Sequence, residues 1–169
     1  MNNVKFPIRY LPINLTNADK QTQFEMLTKS RKQYKKHKYY TRKKIPSYKN
    51  KKSQHLLNAR KIYNIQNITP NKEFAMKTGC KLEALNQIVK KGEGAYYSSG
   101  SRPNQTPKSW GLARLASSLT SGKSAAVDYD ILKNGCNHKK KAFILANKSR
   151  KKYKYGHAKT KKSNFLPAF

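Results

Sequence analysis

The chain has 169 residues, with 38 lysines and arginines against 7 aspartates and glutamates, a formal net charge of +31. Self-repulsion on that scale calls for a polyanion, and because the cations are interleaved with 11 tyrosines, nucleic acid stands ahead of an anionic membrane face or an acidic protein as the expected partner. No window approaches the roughly 18 apolar residues of a membrane span and the N-terminus lacks a secretory h-region, so a soluble, intracellular protein is expected.

Only 36% of the residues are hydrophobic, low for one uniform core. Cys80 and Cys136 are too few for a disulfide scaffold; one bridge is open to them, and a reducing compartment fits. Charge divides the chain: residues 1–70 hold 17 basic and 2 acidic groups, residues 71–135 ten and five, and residues 136–169 eleven and none. This suggests a basic N-terminal arm with one helix (1–52), a central helical module (53–135) and a basic C-terminal arm with an apolar tail (136–169).

The first expected helix runs from Thr16 to about Lys36, capped by Thr16 or Asn17, with Asp19 in its first turn and Phe24, Leu27 and Arg31 at helical spacing. The cationic stretch Tyr34-Lys35-Lys36-His37-Lys38-Tyr39-Tyr40-Thr41-Arg42-Lys43-Lys44 follows, and Pro46 stops any helix. Such a segment can lie along phosphates while its rings stack or pack, which makes Lys35, Lys36, Arg42, Lys43 and Lys44 candidate contacts. A disordered basic linker is the bland alternative. Ser53–Tyr63 reads as a second helix.

Thr69-Pro70 followed by Glu73 reads as a cap, a first-turn proline and a first-turn acid. The helix from Phe74 to Thr78 stops at Gly79, which suits a left-handed residue, and a second helix from about Lys81 to Lys91 buries Leu82, Leu85, Ile88 and Val89 and ends at Gly92. The pair resembles a helix-turn-helix unit in the spacing of Ala75, Gly79, Leu85 and Ile88. That resemblance implies an exposed face carrying Lys81, Glu83, Ala84, Asn86 and Gln87.

The stretch from Lys90 to Trp110 holds three glycines, two prolines and four serines, which argues against a long helix or strand there. As a loop it offers backbone N–H groups and hydroxyls, the Arg102 fork and Lys108 beside the next helix, together an anion site with Lys90, Lys91 and Arg114 at its margins. Tyr96, Tyr97 and Trp110 are available to stack bases, although Trp110 reads better as core. Arg102 either faces a partner's phosphate or pins its own loop.

Further helices are expected from Lys108 to Leu119, with Trp110, Ala113, Leu115, Ala116 and Leu119 inward, and from Ser124 to Leu132, with Ala125, Val127, Ile131 and Leu132 inward. Asp128 is expected to pair with Arg102 or Arg114. Lys139–Lys152 suggests a last basic helix anchored by Phe143, Ile144 and Leu145, and the tail Asn164–Phe169 is an apolar peptide that either docks or frays. The fold class is thus mainly α: a small helical module with a helix-turn-helix-like pair and a Gly/Ser/Pro-rich loop, flanked by extended basic arms.

Known chemistries find little footing. Gly122-Lys123-Ser124 lacks the phosphate-loop glycine, since position 117 is serine; Gly92-Glu93-Gly94 follows a helix and not a strand. Cys136 and His138, with Cys80, His37, His55 or His157 as remote completions, do not form the paired ligands of a structural zinc site. No nucleophile motif occurs with its context. Neither catalytic residues, metal, cofactor nor small-molecule substrate is expected, and an enzyme would need a pocket at Arg102, Tyr96 and Asp128.

The run from Lys91 to Leu132, with Gly92-Glu93-Gly94-Ala95-Tyr96-Tyr97-Ser98-Ser99-Gly100-Ser101-Arg102-Pro103, Trp110, Ala113-Arg114, Gly122-Lys123 and Val127-Asp128, resembles DUF5824, a domain family of unknown function. With Tyr39–Tyr63 and Thr78-Gly79-Cys80 the likeness covers roughly residues 30 to 135. The resemblance implies a protein of large DNA viruses of algae and protists, with phage relatives, and carries over no catalytic residues. Together with the charge it implies a non-enzymatic, virion-associated structural protein, a minor capsid or internal core component whose arms bind nucleic acid, DNA foremost, or acidic capsid surfaces. It would occupy the virion and, during assembly, the host cytoplasm or nucleus. The alternative is a sequence-tolerant DNA-binding or condensing protein acting in replication or packaging.

Overall fold

A computed structural model describes residues 4–156 and 160–168. His157 and Phe169, named above, lie outside them. The fold is mainly α, with helices α1 (Asn17–Lys35), α2 (Gln54–Tyr63), α3 (Lys72–Thr78), α4 (Leu82–Tyr97), α5 (Pro107–Ser118), α6 (Lys123–Val127), α7 (Tyr129–Gly135) and α8 (Lys141–Tyr153). Among the described residues no helix is long and apolar enough to cross a membrane.

The chain forms two compact units that divide it differently from the charge pattern. The first comprises the described residues up to Lys51, Gly94–Pro107 and residues 160–168; the second comprises Lys52–Glu93 and residues 108–156. The N-terminal segment, the glycine- and serine-rich loop and the C-terminal tail therefore belong together, and α8 belongs with the central helices.

In the first unit, Thr16 caps α1 by accepting from the Asp19 N–H, as its residue type favours. Phe24 on α1 packs edge-on to Phe6 at 5.5 Å and lies 5.9 Å from Phe165 of the tail. The tail docks in its own chain: Gln21 exchanges hydrogen bonds with the Ala168 backbone at 3.2 and 2.9 Å, and Pro7 pairs with Lys162 in an antiparallel bridge. A small core of Leu15, Met26 and Ile45 is flanked by Tyr40 and Tyr48.

The second unit buries Tyr63, Phe74, Leu85, Ile88, Leu115, Leu119, Leu132 and Phe143 around one centre, each such side chain contributing about 1.5–3 kcal/mol. α8 packs on α6 and α7 through Ala142, Phe143, Ala146 and Ser149. Of its expected anchor, Phe143 is inside, Leu145 is half-buried and Ile144 faces out at 54% exposure. Cys80 and Cys136 are joined by a disulfide, flanked by hydrogen bonds from Lys81 N to Gly135 O and from Asn137 N to Gly79 O, both 2.7 Å. The bridge ties the α3–α4 turn to the α7–α8 turn across 56 residues, a separation worth about 4 kcal/mol by chain entropy.

Several boundaries differ from the sequence expectations. The cap of α3 is Asn71, whose Oδ1 accepts from the Phe74 N–H at 2.8 Å, so Pro70 precedes the helix instead of opening it. Gly79 does terminate α3 in the left-handed region, at φ 74°. Gly92 does not end α4, which continues to Tyr97. A Cβ on Gly92 would lie 2.5 Å from the Gly111 Cα, so this glycine permits close approach of α4 and α5. That packing offsets the cost of about 1 kcal/mol for glycine inside a helix. The expected helix from Ser124 to Leu132 is broken at Asp128 into α6 and α7, with Val127 37% exposed and not inward.

On the helix-turn-helix-like pair, Lys81, Glu83, Asn86 and Gln87 are exposed as expected. Ala84 is buried instead, because Gly135 lies so close that a Cβ there would fall 2.4 Å from the Ala84 Cβ. Leu82, expected inside, is 37% exposed.

Candidate nucleic-acid interface

The loop is shorter than the composition suggests. With α4 ending at Tyr97 and α5 starting at Pro107, it spans residues 98–106. Ser99 takes the left-handed cap position at φ 75° and its hydroxyl donates to the Leu27 carbonyl. Gly100 N closes onto Ala95 O at 2.7 Å. Asn104, also left-handed at φ 61°, accepts from Ile45 N at 2.6 Å and donates to Ile45 O at 3.2 Å, imitating a strand partner.

The arginine that closes this loop is Arg42. Its guanidinium donates to Tyr96 O at 2.8 Å, to Ser30 Oγ at 2.9 Å and to Ser101 Oγ, and lies 4.0 Å above the Tyr96 ring. The Tyr96 hydroxyl in turn accepts from Arg42 N at 2.8 Å. Arg42 is 9% exposed and Tyr96 1%. Burial pulls the guanidinium below its ordinary range, while Tyr96 and Tyr40 oppose that shift. Both residues were candidate nucleic-acid contacts, and both face inward with their polar atoms engaged; neither presents itself to a phosphate or a base. Arg102 is half-buried, and Arg42, Ser99 and Asn104 supply hydrogen bonds that hold the loop.

A second buried charge sits in the other unit. Asp128, whose side chain is fully buried, accepts from Arg114 Nε at 2.9 Å, Arg114 Nη2 at 2.7 Å, Lys91 Nζ at 2.8 Å and Ser118 Oγ at 2.9 Å. Of the two arginines expected for it, Arg114 is the partner. Burial acts to raise the carboxyl; the hydrogen bonds and charges of Arg114 and Lys91 outweigh it and hold the group below the usual carboxylate range. Four donors occupy both oxygens, so Asp128 is an ionised structural anchor and not a proton acceptor. Arg114 and Lys91, two further candidate contacts, are thereby drawn into the fold, although the Lys91 side chain keeps 42% of its surface.

The remaining candidates, Lys35, Lys36, Lys43, Lys44, Lys90 and Lys108, are all exposed. Tyr97 is half-buried and its ring lies 4.8 Å from that of Tyr39, which is 68% exposed and itself 6.3 Å from Tyr34. Tyr39 was not singled out from the sequence; its neighbours Tyr40 and Arg42 point in, and this two-residue alternation through Tyr39-Tyr40-Thr41-Arg42 is the signal that separates outward from inward side chains.

Cys136 and His138, which invited a metal reading, have other partners. Cys136 is bonded to Cys80 and cannot act as a thiolate ligand. The His138 ring stacks on Phe143 at 4.1 Å. Among the described residues no three histidines, cysteines or carboxylates cluster as a metal site would require. A concavity at the end of α2, lined by Leu57, Arg60, Lys61, Asn64, Ile65, Gln66 and Asn67, holds no carboxylate, histidine or cysteine.

The model of a family of unknown function, DUF5824, matches residues 7–137, and the chain belongs to that family. The match reaches back through α1, beyond the residues that carry the resemblance in sequence. No curated protein and no solved structure matches the chain.

Proposed function

We propose that this is a sequence-tolerant nucleic-acid-binding structural protein of a large DNA virus, carried in the virion as a minor capsid or internal core component. The observation that carries the reading is the disposition of charge: 38 basic residues face 7 acidic ones, and Asp128 is consumed inside. Asp19 is also engaged: hydrogen bonds from the Ser47 hydroxyl and backbone, and a lesser one from Thr16, hold its carboxyl below the usual range. The lysines at 35, 36, 43, 44, 90 and 108 remain at the surface. A surface so unbalanced is neutralised by phosphates, with counterion release as the driving term.

Affinity for duplex DNA is expected to fall steeply, by about 10³-fold or more between roughly 50 and 200 mM salt. Undetectable or salt-insensitive binding contradicts the proposal. Its placement is tested separately by quantitative mass spectrometry of purified particles: presence at stoichiometric copy number supports a virion role, whereas absence favours the DNA-condensing role in replication or packaging.

A further inference from the structure

The rings of Tyr34, Tyr39 and Tyr97 form an open aromatic step inside a lysine-rich stretch, and we infer that it is a stacking platform for unpaired bases, so that this protein prefers single-stranded nucleic acid at this site. The inference rests on the nucleic-acid-binding reading above and names the form of the ligand.

The step is built by a turn. At the end of α1, Lys36 N and Lys38 N both donate to Gln33 O at 2.9 Å and His37 N donates to Tyr34 O at 3.0 Å. His37 takes a left-handed backbone, φ 56°. This reversal returns the chain so that Tyr39 comes back beside Tyr34, ring centroids 6.3 Å apart, and lies at 4.8 Å from Tyr97. Tyr97 in turn is set edge-on to the buried Tyr96 ring at 5.4 Å, which ties the platform to the Arg42 anchor. The three rings are graded in exposure, from half-buried Tyr97 through Tyr34 at 38% to Tyr39 at 68%.

An aromatic side chain two-thirds exposed gains little from the fold itself; its hydrophobic surface is left to water. Within five residues of it along the chain, Lys35, Lys36, Lys38, Lys43 and Lys44 are all exposed. Rings that offer a π-face beside cations that track a phosphate backbone are the two components of sequence-tolerant single-strand binding. A duplex hides its base faces in its own stack and engages only the lysines. An apolar protein partner would use the rings but leave the surrounding cations without counter-charge, so the charge favours the nucleic acid.

The test is a fluorescence-anisotropy titration of the full chain against a labelled oligothymidylate and a duplex of equal length, at one salt concentration. Wild type should bind the single strand more tightly, and Tyr39→Ala should weaken single-strand binding roughly tenfold while changing duplex binding little. Tyr39→Phe, which keeps the π-face, should retain wild-type affinity and guards against an effect of folding alone. Equal weakening on both ligands, or no weakening with Tyr39→Ala, overturns the platform while leaving the electrostatic reading intact. Failure of wild type to bind either ligand removes both.

Discussion

Arg42 and Asp128 are both charged groups withdrawn from water, one in each unit, and their surroundings differ. Asp128 is held by two cations and a hydroxyl. Arg42, among the described residues, has no carboxylate partner and relies on a carbonyl, two serine hydroxyls and the face of Tyr96. In a chain with only 7 acidic residues, a buried anion readily finds counter-charges, whereas a buried cation is supported by neutral acceptors and a π-system. The asymmetry follows from composition, and it orders the consequences of breaking each site.

The largest effect is expected at Asp128. Asp128→Asn leaves Lys91 and Arg114 facing each other without an anion, and should cost about 3–5 kcal/mol in urea denaturation; the exposed Asp130→Asn is the control and should change little. Arg42→Gln removes a cation and leaves only neutral acceptors short of donors, so about 1–3 kcal/mol is expected in the same assay. A larger loss at Arg42 than at Asp128 would break the comparison. The smallest effect is on pH dependence. The Asp128 carboxyl is depressed in the fold, so its contribution is complete above the unfolded value near 4 and is lost as pH falls through the lower folded value. Acid titration of stability should therefore be shallower in Asp128→Asn than in wild type, and unaltered in Arg42→Gln, whose guanidinium keeps its proton throughout that range.

The helices were legible wherever an end signal and an apolar period coincided: Thr16 caps α1 and Gly79 stops α3. What misled was glycine and serine read as punctuation. Gly92 serves helix contact with Gly111, and Ser99, not a glycine, takes the left-handed cap of α4, because tertiary contacts outweigh local propensity at both places. An arginine partner for Asp128 could be read from the sequence, but not the choice of Arg114 over Arg102, nor the second cation Lys91, 37 residues away. Nor did the cationic run reveal that Arg42 turns inward while Lys43 and Lys44 stay out; the alternation is short, and its inward members are a tyrosine and an arginine, residue types that carry no core signature.

The proposed function divides charge by role, with interior cations holding the fold and exterior lysines meeting phosphate. It is tested most directly by the slope of log affinity against log salt for duplex DNA, measured on wild type, on Arg42→Gln and on the double variant Lys43→Gln/Lys44→Gln, each confirmed folded by circular dichroism. The expected result is an unchanged slope for Arg42→Gln and a slope reduced by about 1–2 for the double variant. A reduced slope for Arg42→Gln with none for the lysine pair would contradict the division.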